Sequence, residues 1–265
     1  MLLRFKSDRY CFYTVAHRLG LMMVLLLSVL TGCGGDDDSD TEATVVSAAG
    51  DITASVNRYR AFLGDPNNGG TPGPLPAGRR EINWDGVPDA QSAPNFLPRD
   101  FFLGRGALFD APGGNGVQVS ADSNNPAGAA VRFGNINPSY ASIFQTFSAE
   151  RLFSPIGSNL VDVTFTVPGT QTPAVVRGFG AVYTDVDGNS SSFEYFDKNG
   201  KSLGRFVVPA ANNSLSFLGV AFPDSIVARV RIVYGNSALG PDESATVDVA
   251  VMDDFIYGEP QASTP

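Results

Sequence analysis

A chain of 265 residues can hold one large domain or two small ones, and its composition is that of a folded protein. Only 17% of the residues are charged, whereas 29 are glycine and 18 are proline, which argues against a helical bundle or coiled coil. This pattern favours short strands joined by turns. The formal net charge is −9 and no basic stripe with interleaved aromatic residues occurs, so nucleic acid is not an expected partner.

Residues 1–32 predict a secretory signal peptide. A basic stretch that includes Arg4, Lys6 and Arg9 precedes an apolar segment at 19–30, and small residues follow it. A helix of that length spans about 18 Å, whereas the hydrocarbon core of a bilayer is about 30 Å thick. A permanent transmembrane helix is therefore the poorer interpretation.

The segment 30–33, Leu-Thr-Gly-Cys, resembles the lipobox of bacterial lipoproteins. The resemblance implies that Cys33 is lipidated, becomes the new N-terminus and anchors the protein to a membrane of the cell envelope. Gly34 stands where the inner-membrane retention pattern of such proteins has Asp, which implies the outer membrane rather than the inner one. The polar, acidic residues after Cys33, up to residue 50, are expected to form a flexible tether.

Removal of the signal peptide would also remove His17, the only histidine, and Cys11, one of the two cysteines. The remaining chain could then form no histidine-containing catalytic triad, no His/Cys metal site and no intrachain disulfide. The sequence therefore predicts a protein without enzymatic activity and offers no candidate catalytic residue.

Residues 51–260 are expected to form a single all-β domain, an antiparallel β-sandwich or jelly roll with long N-terminal loops. Apolar and polar residues alternate strictly over 161–167, as in a strand with one buried face. The segment 193–208 predicts a hairpin that turns at 197–200. Further strands are predicted at 81–85, 117–120, 131–133, 144–147, 174–186, 215–222, 226–234 and 247–257. Weak helical character is seen at 43–60, a Pro/Gly-rich loop is expected at 64–74, and 261–265 are expected to be a disordered tail.

Six segments resemble a widespread group of uncharacterised secreted bacterial β-sandwich proteins: GRREINWDGVP (78–88), FGAVYTDVDG (179–188), the hairpin residues YFD (195–197), SFLGVAF (216–222), ARVRI (228–232) and VMDDFIYGEP (251–260). The resemblance covers about residues 55–260. It implies export and a β-sandwich fold, and it brings no established activity.

Asp185, Asp187 and Asn189 form the first group of candidate Ca²⁺ ligands, because they place oxygen-bearing side chains at alternate positions beside Gly188. Ca²⁺ takes six to eight oxygen ligands, and such loops supply them. The alternative is an ordinary turn, in which Asp and Asn side chains bond to their own backbone.

Asp253 and Asp254 form the second group, and they lie inside the apolar closing strand. Because adjacent strand residues face opposite ways, one of the two carboxylates is expected to point toward the core and to need a cation, an arginine or backbone donors. The chain resembles carbohydrate-binding sandwiches in outline, which implies a structural Ca²⁺ between the first and last strands with Glu81, Asn83 or Asp85 as further ligands. The alternatives are an ion pair with the arginines at 79–80 and simple capping.

Trp84, Tyr183 and Tyr195 are candidate ligand-binding residues, since sugar rings stack on exposed aromatic faces. The alternative for Trp84 is a core position, because it shares a strand face with Ile82. The function expected is a non-catalytic binding or surface-structural module with a glycan or matrix ligand. Two alternatives remain open: a polysaccharide hydrolase that uses Asp and Glu, and a structural envelope component that assembles with other proteins and has no small ligand.

Overall fold

Residues 42–244 and 246–263 are described by a computed structural model of the chain. Two antiparallel sheets pack face to face around a common core, which confirms the expected all-β sandwich. The strands in chain order are β1 (Thr44–Ala49), β2 (Arg79–Ile82), β3 (Ala107–Asp110), β4 (Gly116–Val119), β5 (Phe153–Ile156), β6 (Leu160–Phe165), β7 (Ala174–Val175), β8 (Gly178–Val186), β9 (Ser192–Phe196), β10 (Ser202–Val207), β11 (Ala211–Ala221), β12 (Arg229–Val233), β13 (Val251–Gly258) and β14 (Gln261–Ala262). The helices are α1 (Thr53–Leu63) and the single turn α2 (Tyr140–Ile143), with 3₁₀ turns at Asp89–Gln91 and Leu103–Arg105.

The first sheet has the strand order β1-β11-β8-β13-β5-β4, and β2 also pairs with β13. The second sheet has the order β10-β9-β12-β6-β3, while β7 and β14 form a separate short pair. All named strand pairs are antiparallel, and β9 and β10 form the predicted hairpin. The described part of the chain belongs to one compact unit.

The two sheets differ in how their outer faces are covered. Helix α1 packs on the outer face of the first sheet because Val56, Tyr59 and Leu63 lie on one side of the helix and are buried there. Strands β8 and β13 are consequently buried on both faces. In the second sheet β6 and β12 alternate buried and partly exposed residues, so its outer face is open to solvent.

The folded part of the chain is longer at both ends than the sequence predicted. Residues 44–49, expected to belong to the tether, form β1 and pair with β11. Residues 261–262, expected to lie in a disordered tail, form β14 and pair with β7. The segment 43–60 was predicted as weakly helical, but it divides into a strand and a helix that begins at Thr53.

Two short apolar segments predicted as strands, 131–133 and 144–147, do not form strands. Phe133, Tyr140 and Phe144 are instead buried in a small cluster with Leu152 and Val251. Apolar residues separated by polar ones over only three or four positions suit a loop with buried side chains as well as a strand, and here tertiary packing decides.

The predicted signal peptide and Cys33 lie outside the described residues. Within the described ranges, no helix has the length and apolar character that a membrane span requires.

Candidate functional site

A groove of about 770 Å³ crosses the open outer face of the second sheet. We call it the outer groove. Its floor includes one cross-strand row, because Leu108 on β3 pairs with Thr164 on β6, which pairs with Arg229 on β12. Polar side chains from the strands and nearby loops line it: Arg99, Thr166, Gln171, Asp197, Lys198 and Asn199.

Contacts with Phe196 and Asp162 hold Arg229 in place in the lining of the outer groove. Its guanidinium lies over the ring of Phe196, 3.7 Å from the ring centroid, and its Nη1 donates to Asp162 Oδ1 at 3.2 Å. Arg231 donates to both oxygens of the same carboxylate at 2.8 and 2.7 Å. Because a guanidinium has five N–H donors, Arg229 keeps further donors for a ligand.

The tip of the β9–β10 hairpin forms one wall of the outer groove. Asp197 Oδ1 accepts the backbone N–H groups of Asn199 at 2.8 Å and Lys201 at 2.9 Å, as the turn prediction required. Gly200 has φ +79°, a left-handed conformation that glycine adopts without steric cost. The wall is therefore ordered by its own hydrogen bonds.

The three aromatic residues expected to bind a ligand are core residues instead. Trp84, Tyr183 and Tyr195 are at most 1% exposed, so none offers a ring face to solvent. Trp84 stacks on Phe153 with ring centroids 4.3 Å apart, and its Nε1–H donates to Asp253 O at 2.8 Å. The core alternative for Trp84 is the one that the structure supports.

Asp253 and Asp254 both face the outer side of the first sheet, contrary to the expectation that one would face the core. A β-bulge is responsible, since Met252 pairs with Tyr183 and Phe255 pairs with Ala181, which leaves one extra residue on β13. The bulge turns two adjacent carboxylates to the same side.

The two carboxylates meet at one serine. Ser148 Oγ donates to Asp254 Oδ1 at 2.7 Å and lies 3.1 Å from Asp253 Oδ1. Asp253 Oδ2 also accepts the backbone N–H groups of Phe147 at 2.5 Å and Ser148 at 3.1 Å. Burial raises the pKa of both carboxyl groups, and the charge of Asp254 raises the pKa of Asp253 further.

A cavity of about 410 Å³ opens beside this pair, and we call it the paired-carboxylate cavity. Asp254 and Glu81 both line it. Arg60 lies between them, with Nη2 2.7 Å from Glu81 Oε2 and 3.6 Å from Asp254 Oδ2. Arg79 Nε donates to Glu81 Oε1 at 2.7 Å.

Protein donors therefore occupy the oxygens that were expected to bind Ca²⁺ between the first and last strands. Glu81, Asp253 and Asp254 have the arginine, serine and backbone partners given above, and Asp85 Oδ1 accepts the N–H of Arg151 at 3.2 Å. The expected ion pair of Asp253 or Asp254 with Arg79 or Arg80 does not form, because Arg79 pairs with Glu81 and Arg80 pairs with Glu259. Asp254 lies near Arg60 instead, and backbone capping is the alternative that fits Asp253.

The other expected Ca²⁺ ligands lie at the far end of β8. Asp185 is 3% exposed and accepts the N–H of Asn213 at 2.7 Å, whereas Asn189 is exposed. The backbone N–H of Asp187 donates to Asp248 Oδ1 at 3.4 Å. The structure thus adds Asp248 to this region, a residue that sequence reasoning missed because it lies about sixty positions along the chain.

Glu243 also lies near the end of β8, and it was not among the Ca²⁺ ligands predicted from the sequence. Burial, together with the charges of Asp185, Asp187 and Asp248, raises its pKa to about 7. Burial likewise raises the pKa of Asp185 to about 6, and the charges of Asp187 and Asp248 contribute. Burial and the charge of Asp187 raise the pKa of Asp248. We call Asp185, Asp187, Glu243 and Asp248 the acidic cluster.

Across the described residues, no three acidic, histidine or cysteine side chains converge as a preformed metal site. Comparison with protein-family models and with curated proteins finds no match to this chain. The resemblances to lipoproteins and to secreted β-sandwich proteins remain predictions.

Proposed function

We propose that this protein is an exported, lipid-anchored β-sandwich module that binds a glycan in the outer groove without catalysing a reaction. The observation that carries the proposal is the groove itself, about 770 Å³ of space lined by both polar and apolar side chains on a sheet whose opposite face is core. A sheet face that remains open beside a fully packed core is a site at which a ligand can bind without disturbing the fold.

The groove chemistry matches a ligand rich in hydroxyl groups. Hydroxyls both donate and accept, and the lining offers guanidinium donors, the amides of Gln171 and Asn199, the hydroxyl of Thr164 and the carboxylate of Asp197. Because the candidate aromatic residues are buried, recognition would rest on hydrogen bonds rather than on ring stacking.

The lining is also preorganised, which favours binding. Asp162 and the Phe196 ring hold Arg229, and Asp197 orders the hairpin tip. Side chains that are already fixed lose less conformational entropy when a ligand binds, and each such immobilisation otherwise costs about 0.5–1.5 kcal/mol.

Affinity gel electrophoresis with soluble xylan, laminarin, dextran and alginate, together with a pelleting assay on purified peptidoglycan, tests this proposal. We expect at least one polymer to retard or pellet the protein and Arg229→Ala to abolish the effect. The matched control is Arg58→Ala, since Arg58 is an exposed arginine on α1, on the other sheet. Failure of every polymer to bind, or equal binding by Arg229→Ala, would contradict the proposal.

A polysaccharide hydrolase is the second candidate, and one observation favours it. Glu81 and Asp254 line a common cavity, as a pair of catalytic carboxylates would. Arg60 bridges the two groups and would have to move before either could act on a substrate. A reducing-sugar assay on the same polymers distinguishes the candidates, because hydrolysis that Asp254→Asn abolishes would establish the enzyme.

A further inference from the structure

The acidic cluster is built from two separate parts of the chain. Asp185 and Asp187 lie at the end of β8 and just beyond it, whereas Glu243 and Asp248 lie in the connection between β12 and β13. The contact between Asp187 N–H and Asp248 Oδ1 joins the two parts. The charges of Asp185, Asp187 and Asp248 each raise the pKa of at least one other member, and all three raise that of Glu243, so the four carboxylates lie within electrostatic range of one another.

The acidic cluster contains no arginine or lysine, unlike several other buried or partly buried acidic groups of the protein. Glu81 pairs with Arg60, Glu259 pairs with Arg80, and other arginines pair with Asp162, Asp89 and Asp122. Among the described residues, none of the four cluster carboxylates forms an ion pair, although Asp185 and Asp248 are 3% and 6% exposed. Asp253 is also buried without an ion pair, but Ser148 Oγ and two backbone N–H groups donate hydrogen bonds to it.

A second, independent observation concerns individual oxygen atoms. Asp248 is 94% buried. Its Oδ2 is shielded from solvent, and no group among the described residues donates a hydrogen bond to it. Asp187 Oδ1 and Glu243 Oε2 are shielded and unpartnered in the same way. An ionised oxygen that is buried without a donor costs several kcal/mol, so three such atoms in one cluster require a compensating group.

We propose that the acidic cluster binds a calcium ion, with Asp187 Oδ1, Glu243 Oε2 and Asp248 Oδ2 as its carboxylate ligands and Asp185 as a further charge beside it. The choice of ion follows from the ligands, since they are hard anionic oxygens with no nitrogen or sulfur donor among them. Ca²⁺ accepts irregular geometry and coordination numbers of six to eight, whereas Mg²⁺ demands a near-ideal octahedron.

The four side chains do not already converge on a common centre. Like charges repel when no cation lies between them, and Glu243 lies in a partly exposed loop from which it can move inward. Binding would therefore draw the β12–β13 connection toward the end of β8. This inference goes beyond the glycan-binding proposal and does not depend on it.

Isothermal titration of the EDTA-treated protein with CaCl₂, paired with thermal melts, tests the site. We expect one saturable site, a higher Tm with CaCl₂ than with MgCl₂, and binding weakened about tenfold or more by Glu243→Gln or Asp248→Asn. Asp224→Asn, an exposed acidic position outside the cluster, should bind as the wild type does.

Two results would overturn the inference. One is the absence of saturable heat and of any Tm shift up to about 10 mM CaCl₂, tenfold above the weakest extracellular sites. The other is calcium binding that both cluster variants leave unchanged. Because Asp248→Asn changes a buried residue and could impair folding, Glu243→Gln at a partly exposed position is the deciding variant. Stabilisation by acid alone, without any calcium effect, would show that protons rather than a metal ion neutralise the cluster.

Discussion

Arg80 and Glu259 form a bidentate ion pair inside the protein. Nε and Nη2 of Arg80 donate to the two carboxylate oxygens of Glu259 at 2.8 and 2.7 Å, and the side chains are 0% and 3% exposed. The same guanidinium donates to Gly69 O and Gly73 O, and the same carboxylate accepts the N–H of Leu75 at 3.1 Å. The pair thereby fastens the Pro/Gly-rich loop to the start of β2 and the end of β13.

Glu259→Gln is expected to lower the free energy of unfolding by about 3–5 kcal/mol, because it leaves a buried guanidinium charge without its counter-charge. Urea unfolding monitored by circular dichroism measures the change. Glu42→Gln, at an exposed position, should stay within about 0.5 kcal/mol of the wild type. Equal stabilities for the two variants would show that Arg80 is satisfied by loop carbonyls alone.

Trp84 is expected to contribute strongly to stability, and its fluorescence is expected not to change when a ligand binds. Trp84→Ala removes a ring that stacks on Phe153 and touches Phe255, and it should cost about 3–5 kcal/mol. Phe96→Ala is the control, since Phe96 is 47% exposed. As the only tryptophan, Trp84 should emit at short wavelength in the native protein, with no change when a polysaccharide is added. A polysaccharide-dependent shift would place a ligand near the core ring and contradict the assignment.

Stability should depend on pH through the acidic cluster. The pKa of Asp185 is raised from 3.8 to about 6 and that of Glu243 from 4.5 to about 7, so the folded state binds more protons than the unfolded state across this range. The free energy of unfolding in EDTA should consequently fall as the pH rises from about 5 to about 7.5. The charges that face these groups are those of Asp187 and Asp248, and Tyr140, with a pKa raised to about 12, stays neutral throughout.

Thermal melts of Asp185→Asn/Glu243→Gln at several pH values check this dependence. The double variant should show a smaller decline than the wild type, whereas Asp224→Asn should show the full decline. Part of the decline remains in the double variant because the pKa values of Asp248, Asp253 and Asp254 are also raised. If the double variant and the wild type give parallel curves, the pH dependence originates outside the cluster.

Lipidation at Cys33 remains a prediction. Substitutions of single cysteines by serine, which replace only the sulfur by oxygen, test it. Cys33→Ser should move the protein from the membrane fraction to the soluble fraction of expressing cells, because the acyl chains provide the anchor. Cys11→Ser is a matched control that keeps the lipid acceptor and should stay with the membrane. Membrane association of Cys33→Ser that survives a carbonate wash would contradict the lipoprotein assignment.

The sandwich could be predicted because its strands carry local signals. Strict alternation over 161–167 corresponds to β6, and the turn residues at 197–200 set the β9–β10 hairpin. Both signals depend on the pleat and on turn stereochemistry, which short sequence windows contain. The strand at Thr44–Ala49 was missed because its polar and small residues lie next to the acidic tether.

The candidate sites depend on relations between distant residues, and these could not be predicted. The bulge that turns Asp253 and Asp254 to one side is a mismatch of register between β13 and β8, which neither strand reveals alone. The approach of Asp248 to Asp187 follows from the path of the β12–β13 connection. The outer groove likewise depends on which sheet α1 covers.

Hydrogen–deuterium exchange with and without the polysaccharide that binds most strongly in the gel assay tests the central claim most directly. Binding in the outer groove predicts slower exchange in Arg229–Val233 and at the hairpin tip 197–200, with unchanged exchange in Thr53–Leu63. Protection confined to α1 and the segment around Glu81 would contradict the account and move the ligand to the paired-carboxylate cavity.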